Sequence, residues 1–185
     1  GDLIYRDLNG DGLLDERDVA PIGKGIIPRT TYGITAGVNY KSFELNVLFQ
    51  GIGDYSTVLG GIGVWENYFH GVYNSLHKNA WTPERYQAGE AITYPALSTR
   101  ESVNHQPSDF FNYNRRYLRL KNVELAYNFP VSVSKLISAS NIRLVLSGQN
   151  LVTWDKMKSP DFGPEGTYLS IPVYKVYNVG LSVTF

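Results

Sequence analysis

The chain has 185 residues, enough for one domain with a substantial core, and its 17 basic and 17 acidic side chains cancel, which removes the global field that nucleic acid or an anionic surface would need. No run approaches the roughly 18 apolar residues of a membrane helix, so a helical membrane protein is excluded while a β-barrel stays open. With no cysteine there are no disulfides, thiolate nucleophiles or cysteine zinc sites, and 14 tyrosines with 8 phenylalanines suit a packed core, a carbohydrate-binding surface or the aromatic girdles of a membrane barrel.

The chain starts at Gly1-Asp2 without an initiator methionine or signal peptide, as expected of a processed product or a fragment. Residues 1–31 form a leader whose informative part is Asp7 to Asp18. Oxygen-bearing side chains occupy loop positions 1, 3, 5, 9 and 12 (Asp7, Asn9, Asp11, Asp15, Asp18), Gly12 stands at position 6, and Leu13 offers its carbonyl at position 7. This is the EF-hand arrangement, in which a hard cation collects oxygens from a loop that glycine lets turn tightly. Calcium is the expected ion. Asp18 replaces the usual glutamate and Pro21 forbids a long following helix, so the flanks suit a single structural clip with an affinity of roughly 0.1–1 mM rather than a paired sensor. A metal-free turn rich in glycine and Asx residues is the alternative.

Five segments then carry a two-residue period. In the first, about 32–40, Tyr32, Ile34, Ala36, Val38 and Tyr40 share one face, opposite Gly33, Thr35, Gly37 and Asn39. The two-residue turn Lys41-Ser42 leads to a second strand, 43–51, with Phe43, Leu45, Val47 and Phe49 against Glu44, Asn46 and Gln50, so the pair reads as a hairpin. The third, 117–129, sets Val123, Leu125, Tyr127 and Phe129 against Asn122, Glu124 and Asn128. Its beginning, Leu118 and Leu120, is out of phase with its end, which predicts a bulge near Lys121. The fourth, 141–152, opposes Ile142, Leu144 and Leu146 to Arg143, Ser147 and Gln149. The fifth, 173–185, alternates through Val179, Leu181, Val183 and Phe185. No segment carries a convincing helical period.

Short and long connections alternate. Lys41-Ser42 is minimal and 130–140 modest, whereas 52–116 and 153–172 are long. Transmembrane barrels have short periplasmic turns and long outer loops, and counting back from a periplasmic C-terminus puts both long loops and the leader outside the cell. Tyr40, Phe43, Tyr127, Phe129 and Phe185 then lie near the lower interface, with Tyr32, Phe49 and Tyr177 toward the upper one. Five strands cannot close a membrane barrel, which takes at least about eight, and an open sheet in lipid leaves unpaired backbone at both edges. The chain is expected to be part of a larger barrel or not a membrane barrel at all.

Other constellations have two readings each. Trp65, Tyr68, Phe69 and Tyr73 could stack on sugar rings, but packing of the long loop onto itself or a partner is the better expectation. His70 and His77, with Glu66 and Glu84 nearby, lack tight metal-ligand spacing and read as a solvated loop. Glu44, Glu124 and Arg143 face the lumen in this register, where they meet a solute or, better, a plug, since buried charges need partners. Trp81-Thr82-Pro83-Glu84 reads as a tight turn. There is no nucleophile with a base, no phosphate-cradling loop and no basic stripe, so neither an enzyme nor a nucleic-acid partner is expected.

Asp2, Tyr5-Arg6-Asp7-Leu8-Asn9-Gly10-Asp11-Gly12, Pro28 with Tyr32-Gly33, and Phe49-Gln50-Gly51 resemble the closing region of the SusC/RagA family of TonB-dependent outer-membrane receptors. The resemblance continues through Trp81-Thr82-Pro83-Glu84, Tyr117-Leu118-Arg119-Leu120-Lys121-Asn122-Val123, Gln149-Asn150-Leu151 with Trp154, and Phe185, and so spans nearly the whole chain. It implies an all-β fold: the C-terminal strands of a 22-stranded transmembrane antiparallel barrel with long extracellular loops, whose plug, TonB-contacting segment and remaining strands lie outside this chain. It also implies nutrient uptake across the outer membrane, with glycan or peptide fragments as solute and a SusD-like surface lipoprotein as lid. Loop 52–116 is the expected principal contact for that lipoprotein. Phe185 is the expected assembly signal at the end of the closing strand. A secreted all-β carbohydrate-binding module stabilised by calcium is the alternative. The environment of Ile34, Val47, Leu125, Leu144 and Leu181 separates the two readings: lipid in the first, a packed core in the second.

Overall fold

The computed structural model describes residues 1–66, 72–157, 159, 161–166 and 170–185. In chain order the elements are β1 (Thr30–Tyr40), β2 (Phe43–Gly53), β3 (Ser56–Val58), α1 (Pro83–Gln87), β4 (Asn112–Asn114), β5 (Tyr117–Asn128), α2 (Val131–Ser134), β6 (Asn141–Asp155) and β7 (Val176–Thr184). They form two compact units. One gathers Gly1–Ile27, Tyr55–Arg115 and Met157–Ile171; the other gathers Pro28–Asp54, Arg116–Lys156 and Pro172–Phe185.

The second unit is one antiparallel sheet in the order β1-β2-β5-β6-β7. The hairpin turn is the expected two residues, with Tyr40 opposite Phe43 and Lys41 in the left-handed region at φ 55°. Registers keep the apolar alternation in phase across all five strands. Val38, Leu45, Leu125, Leu146 and Val179 form one cross-strand row, and Ala36, Val47, Val123, Gly148 and Tyr177 the next. The phase slip in β5 is resolved by a bulge at Lys121: Leu48 pairs with Asn122 and Phe49 with Leu120, so Lys121 has no opposite residue on β2. On the β6 side Leu120 pairs with Val152 and Asn122 with Gln149, while Asn150 takes a left-handed φ of 54°. The extra residue returns Leu118 and Leu120 to the face of Val123 and Leu125.

Strand ends differ from expectation where local chemistry decides. β6 runs on to Asp155, because after the bulge Val152 and Trp154 continue the apolar face opposite Leu120 and Leu118. β7 starts at Val176 rather than 173: Pro172 has no N–H to donate, and the Tyr174 carbonyl is taken by the Asn150 side chain at 3.0 Å. Between β5 and β6 the chain makes the single turn of α2 and reverses at Ser138, left-handed at φ 59°. Trp81-Thr82-Pro83-Glu84 is not a plain turn but a helix start, with Thr82 capping the Arg85 amide at 3.2 Å and Pro83 in the first turn of α1.

Thr30 pairs with Gly53, Ile52 with Tyr117, and Tyr117 with Asp155, so the leader and both long segments join the sheet at one end. The turns at 41–42 and 129–140 lie at the other. Both edges are open: β1 is exposed along its whole length, and β7 at every position except Val183.

In the first unit, the expected long loop builds a core of its own. Leu59, Val64, Ala80, Tyr94, Phe111, Met157 and Phe162 are buried together, with Leu3, Val58, Trp65, Leu76 and Tyr113 packed against them. β3 and β4 pair as a two-stranded sheet. The leader is fastened to it by Gly23-Lys24-Gly25: the Lys24 amide donates to Ser56 Oγ at 2.6 Å and the Ser56 amide to the Gly25 carbonyl at 3.2 Å. Gly23 is left-handed at φ 76°, and a Cβ there would collide with Ser56 and Asn112.

Candidate functional site

The sheet presents two chemically distinct faces. On one lie Ile34, Val38, Phe43, Leu125, Leu146, Trp154, Val179 and Leu181, all exposed, with Ile34 at 58% and Leu181 at 66%. Val47 and Leu144 are half-buried among them. Apart from Ile142, buried near the turn end, the side chains named on this face are exposed or half-buried among the described residues, without the packed core that a soluble sandwich requires. Leu144 shares the row of Phe43, Tyr127 and Leu181, nearer the turn end than Val47 is. Rings collect at that end. Phe43 and Tyr127 have centroids 4.7 Å apart, Phe129 stands edge-on to Tyr127 at 4.9 Å, and Tyr40 pairs across from Phe43. At the far end the Tyr32 ring lies over Gly51, where any side chain would strike it. Phe185 follows β7 and is 82% exposed.

The opposite face is polar: Thr35, Asn39, Asn46, Gln50, Asn122, Ser147, Gln149, Asn178 and Ser182 alternate with glycines. Glu44, Glu124 and Arg143 lie on this face as expected, and they are partners to one another across three strands. Arg143 Nη2 is 2.8 Å from Glu44 Oε2 and 3.5 Å from Glu124 Oε1, and Asn128 donates to Glu44 Oε1 at 2.6 Å.

The Asp7–Asp18 loop is wound as its glycines require, with Gly10 at φ 78° and Gly12 at φ 80°. Its carboxylates turn inward to backbone amides. Asp7 accepts from Gly10 at 2.6 Å and Gly12 at 2.8 Å, Asn9 from Asp11 at 2.9 Å, Asp11 from Leu13 at 2.9 Å, and Asp18 from Leu8 at 2.8 Å and Asp15 at 2.9 Å. The amides of Asp15 and Leu8 hold the Asp18 carboxyl below its usual range. Arg17, not singled out by the sequence pattern, sits 2.8 Å from Asp11 and 2.7 Å from Asp15, and its hydrogen bonds hold the Asp15 carboxyl low as well. Donor chemistry and loop winding fit a hard cation, with the Leu13 carbonyl completing the set. Among the described residues, however, no three acidic or histidine side chains are drawn together as ligands. Arg17 supplies the positive charge to Asp11 and Asp15 in this conformation.

The expectation of a solvated loop around Glu66 and His77 is overturned. Glu66 is completely buried, accepting from Tyr94 Oη at 3.0 Å and the Ser98 amide at 2.8 Å, with His105 Nε2 3.1 Å away. Burial pushes its carboxyl up, but these contacts and the Glu66 backbone amide outweigh burial and hold it below the usual range. Burial, reinforced by Glu66, pushes the Tyr94 hydroxyl up. His77 is buried too: its Nδ1 accepts from the Asn74 amide at 2.8 Å, which directs the Nε2 proton to the Val64 carbonyl at 3.1 Å. Sequence reasoning missed Tyr94, Ser98 and His105 because these partners of Glu66 stand 28 residues or more away, with no periodic signal. Trp65 packs as expected, edge-on to Phe111 at 6.4 Å and stacked on His105 at 5.7 Å. Tyr73 is 54% exposed, with its ring against His77. Tyr68, Phe69 and His70 lie outside the described residues, and Glu84 is exposed at the start of α1.

No family model matches the chain. Over its whole length it is 26% identical to TonB-dependent receptor P26 of Formosa agariphila, and over 91% of its length it is 29% identical to TonB-dependent receptor P3 of the same organism. It covers 20% and 16% of those two proteins, so the chain spans a fifth or less of the curated relatives it matches. Its fold matches the RagAB peptide importer in the open-open state with a TM-score of 0.66 at 24% identity, and in the closed-closed state with 0.67 at 25%. In both cases 94% of this chain and 19% of the solved one are covered. A five-stranded antiparallel sheet whose apolar face and two edges are left open by the described residues is built as a portion of a barrel wall, and along nearly its whole length the chain is similar to TonB-dependent receptors and shares its fold with the RagAB peptide importer.

Proposed function

We propose that this chain forms part of an outer-membrane importer of glycan or peptide fragments, powered through TonB by segments of the receptor outside this chain and served by a SusD-like surface lipoprotein. The observation that carries the reading is the two-faced sheet. An apolar face that the described residues leave open, bordered by rings at the turn end, suits lipid; a hydrogen-bonding face with paired charges suits a water-filled or protein-filled lumen. Dimensions agree. From Phe43 to Gly51 the strand advances roughly 27 Å at about 3.4 Å per residue, or about 21 Å of depth at a tilt near 40°, close to the apolar band of about 25 Å in such barrels. A secreted module would need Ile34, Leu125 and Leu181 in a core, and all three are exposed. The test is a ladder of single cysteines at Leu45, Asn46 and Val47 in the intact receptor. Lipid-soluble reagent should label 45 and 47, aqueous reagent 46, and the reverse pattern would overturn the reading.

Calcium is proposed for the Asp7–Asp18 loop, supported by its oxygen donors and left-handed glycines, with Asp11 and Asp15 exchanging Arg17 for the ion. The lipoprotein is assigned to the exposed side chains of the first unit, Tyr73 and Tyr86 among them, rather than to a loose loop. Removing residues 60–80 would also remove Val64, Glu66 and His77 from the interior, so Tyr73→Ala and Tyr86→Ala are the sharper probes of co-purification.

A further inference from the structure

At the end of the sheet away from the turns, the border of the apolar face carries two cations side by side. The row Tyr32, Gly51, Leu118 and Trp154 crosses four strands and ends in an exposed ring on each side. One step further out, the Lys156 amide donates to the Arg116 carbonyl at 3.1 Å, so the ladder of β5 and β6 continues beyond Tyr117 and Asp155 and sets Arg116 opposite Lys156. Exposure alternates through both strand ends: Arg116 is exposed between buried Arg115 and Tyr117, and Lys156 between half-buried Asp155 and buried Met157. Both side chains therefore share the side of Leu118 and Trp154. Asp155 belongs to the other side, with Tyr117. The places that continue this row on β1 and β2, Thr30 and Gly53, are small and uncharged.

Like charges directly opposite each other on a ladder weaken it, and an anion standing between them reverses the effect. Resting on the reading of this face as lipid-exposed, we infer that Arg116 and Lys156 form a binding site for the phosphate of a lipid headgroup. Arg116 makes contacts within the chain, and the five donors of its planar fork accommodate a phosphate oxygen beside them. The height fits. Both cations stand two residues beyond the row of Trp154, roughly 7 Å along the strand at about 3.4 Å per residue, or about 5 Å of depth at a tilt near 40°. Tryptophan and tyrosine mark the boundary of an apolar band, so that step carries the cations into the headgroup layer. Beneath them Leu118, Leu120 and Val152 offer apolar surface to acyl chains, which a lipid phosphate brings and a free phosphate ion does not.

The experiment uses the intact receptor in detergent, with bound lipid counted by native mass spectrometry. The probes are phosphatidylglycerol, a diacylglycerol with the same chains, and inorganic phosphate; the variants are K156Q, R116Q/K156Q and the charge-keeping R116K/K156R. Retention of phosphatidylglycerol over diacylglycerol is expected, with a several-fold loss in R116Q/K156Q, a smaller loss in K156Q, near-parent retention in R116K/K156R and no displacement by millimolar phosphate. Parent-like retention in R116Q/K156Q overturns the inference. Should the double variant fail to insert, K156Q, which leaves Arg116 and its contacts in place, decides by the same criterion. Displacement by inorganic phosphate also overturns it, making the pair a free-anion site. Cysteine labelling at 46 and 47 reports separately on the face: lipid-soluble label at 47 with unchanged retention refutes the site alone, whereas lipid-soluble label at 46 refutes the reading beneath it.

Discussion

A single arginine at Val47 reads out the face assignment energetically. Val47 lies midway along the apolar stretch of β2, four residues from Phe43 and four from Gly51, and its row contains Ala36, Val123 and Gly148. That is about 10 Å of depth from the ring cluster at the turn end, near the midplane of a band of about 25 Å. Arginine on the lipid face at that depth costs about 2–4 kcal/mol, or about 30- to 700-fold in the folding equilibrium. The same residue at Asn46 faces the other way and stands directly opposite Glu124, so Asn46→Arg should be close to neutral. Reversible urea unfolding of the receptor in lipid vesicles measures both. Leu144→Arg should fall below Val47→Arg, because Leu144 shares the row of the turn-end rings. Equal penalties at 46 and 47, or a larger one at 46, would refute the assignment of faces.

Calcium titration of the receptor should show millimolar binding that Asp11→Ala abolishes and Arg17→Ala tightens, since Arg17 competes for Asp11 and Asp15; no calcium response in the parent would remove the ion from the account. Glu66→Ala should weaken the first unit by about 3–5 kcal/mol, by stranding Tyr94, the Ser98 amide and His105, and limited proteolysis of 55–115 would report it. The Glu66 carboxyl is held below its unfolded value, so its contribution is complete above about pH 4.3 and disappears as pH falls through the depressed value. Acid sensitivity of proteolysis should therefore diminish in Glu66→Gln, and identical profiles would contradict the assignment. Deleting Phe185 should lower the amount of inserted receptor far more than uptake per inserted molecule; normal surface levels with lost transport would place Phe185 in the solute path.

The strands were legible because each carries one apolar and one polar face, and a two-residue period is the direct imprint of that division. Even the Lys121 bulge showed as a slip in phase between Leu120 and Val123. Strand length was less legible: β6 gained Thr153 to Asp155, which the rule that loops are rich in Pro, Gly and Asp assigned to a connection. The first unit was opaque for a different reason. Its interior is made of contacts such as Tyr94 to Glu66 and Leu3 to Asn104, between residues with no shared periodicity, so composition could show only that aromatics were abundant. The acidic loop was visible as a donor set, but Arg17 inside it was not, because ligand spacing says nothing about a neighbouring cation that can satisfy the same oxygens.

That the leader and both long segments enter and leave at neighbouring strand ends, Thr30 beside Gly53, and Ile52 beside Tyr117 beside Asp155, makes the receptor separable along a seam. The ladder needs no residue of 55–115 to set its register, which the Lys41-Ser42 turn and the Lys121 bulge fix from within the sheet. Because Leu3, Met157 and Phe162 help close the core of the first unit, a lineage that exchanges it exchanges 1–27, 55–115 and 157–171 together, while the register of the sheet stays as it is. For the engineer the neighbouring strand ends at Asp54 and Arg116 are the place to graft a foreign domain onto the sheet.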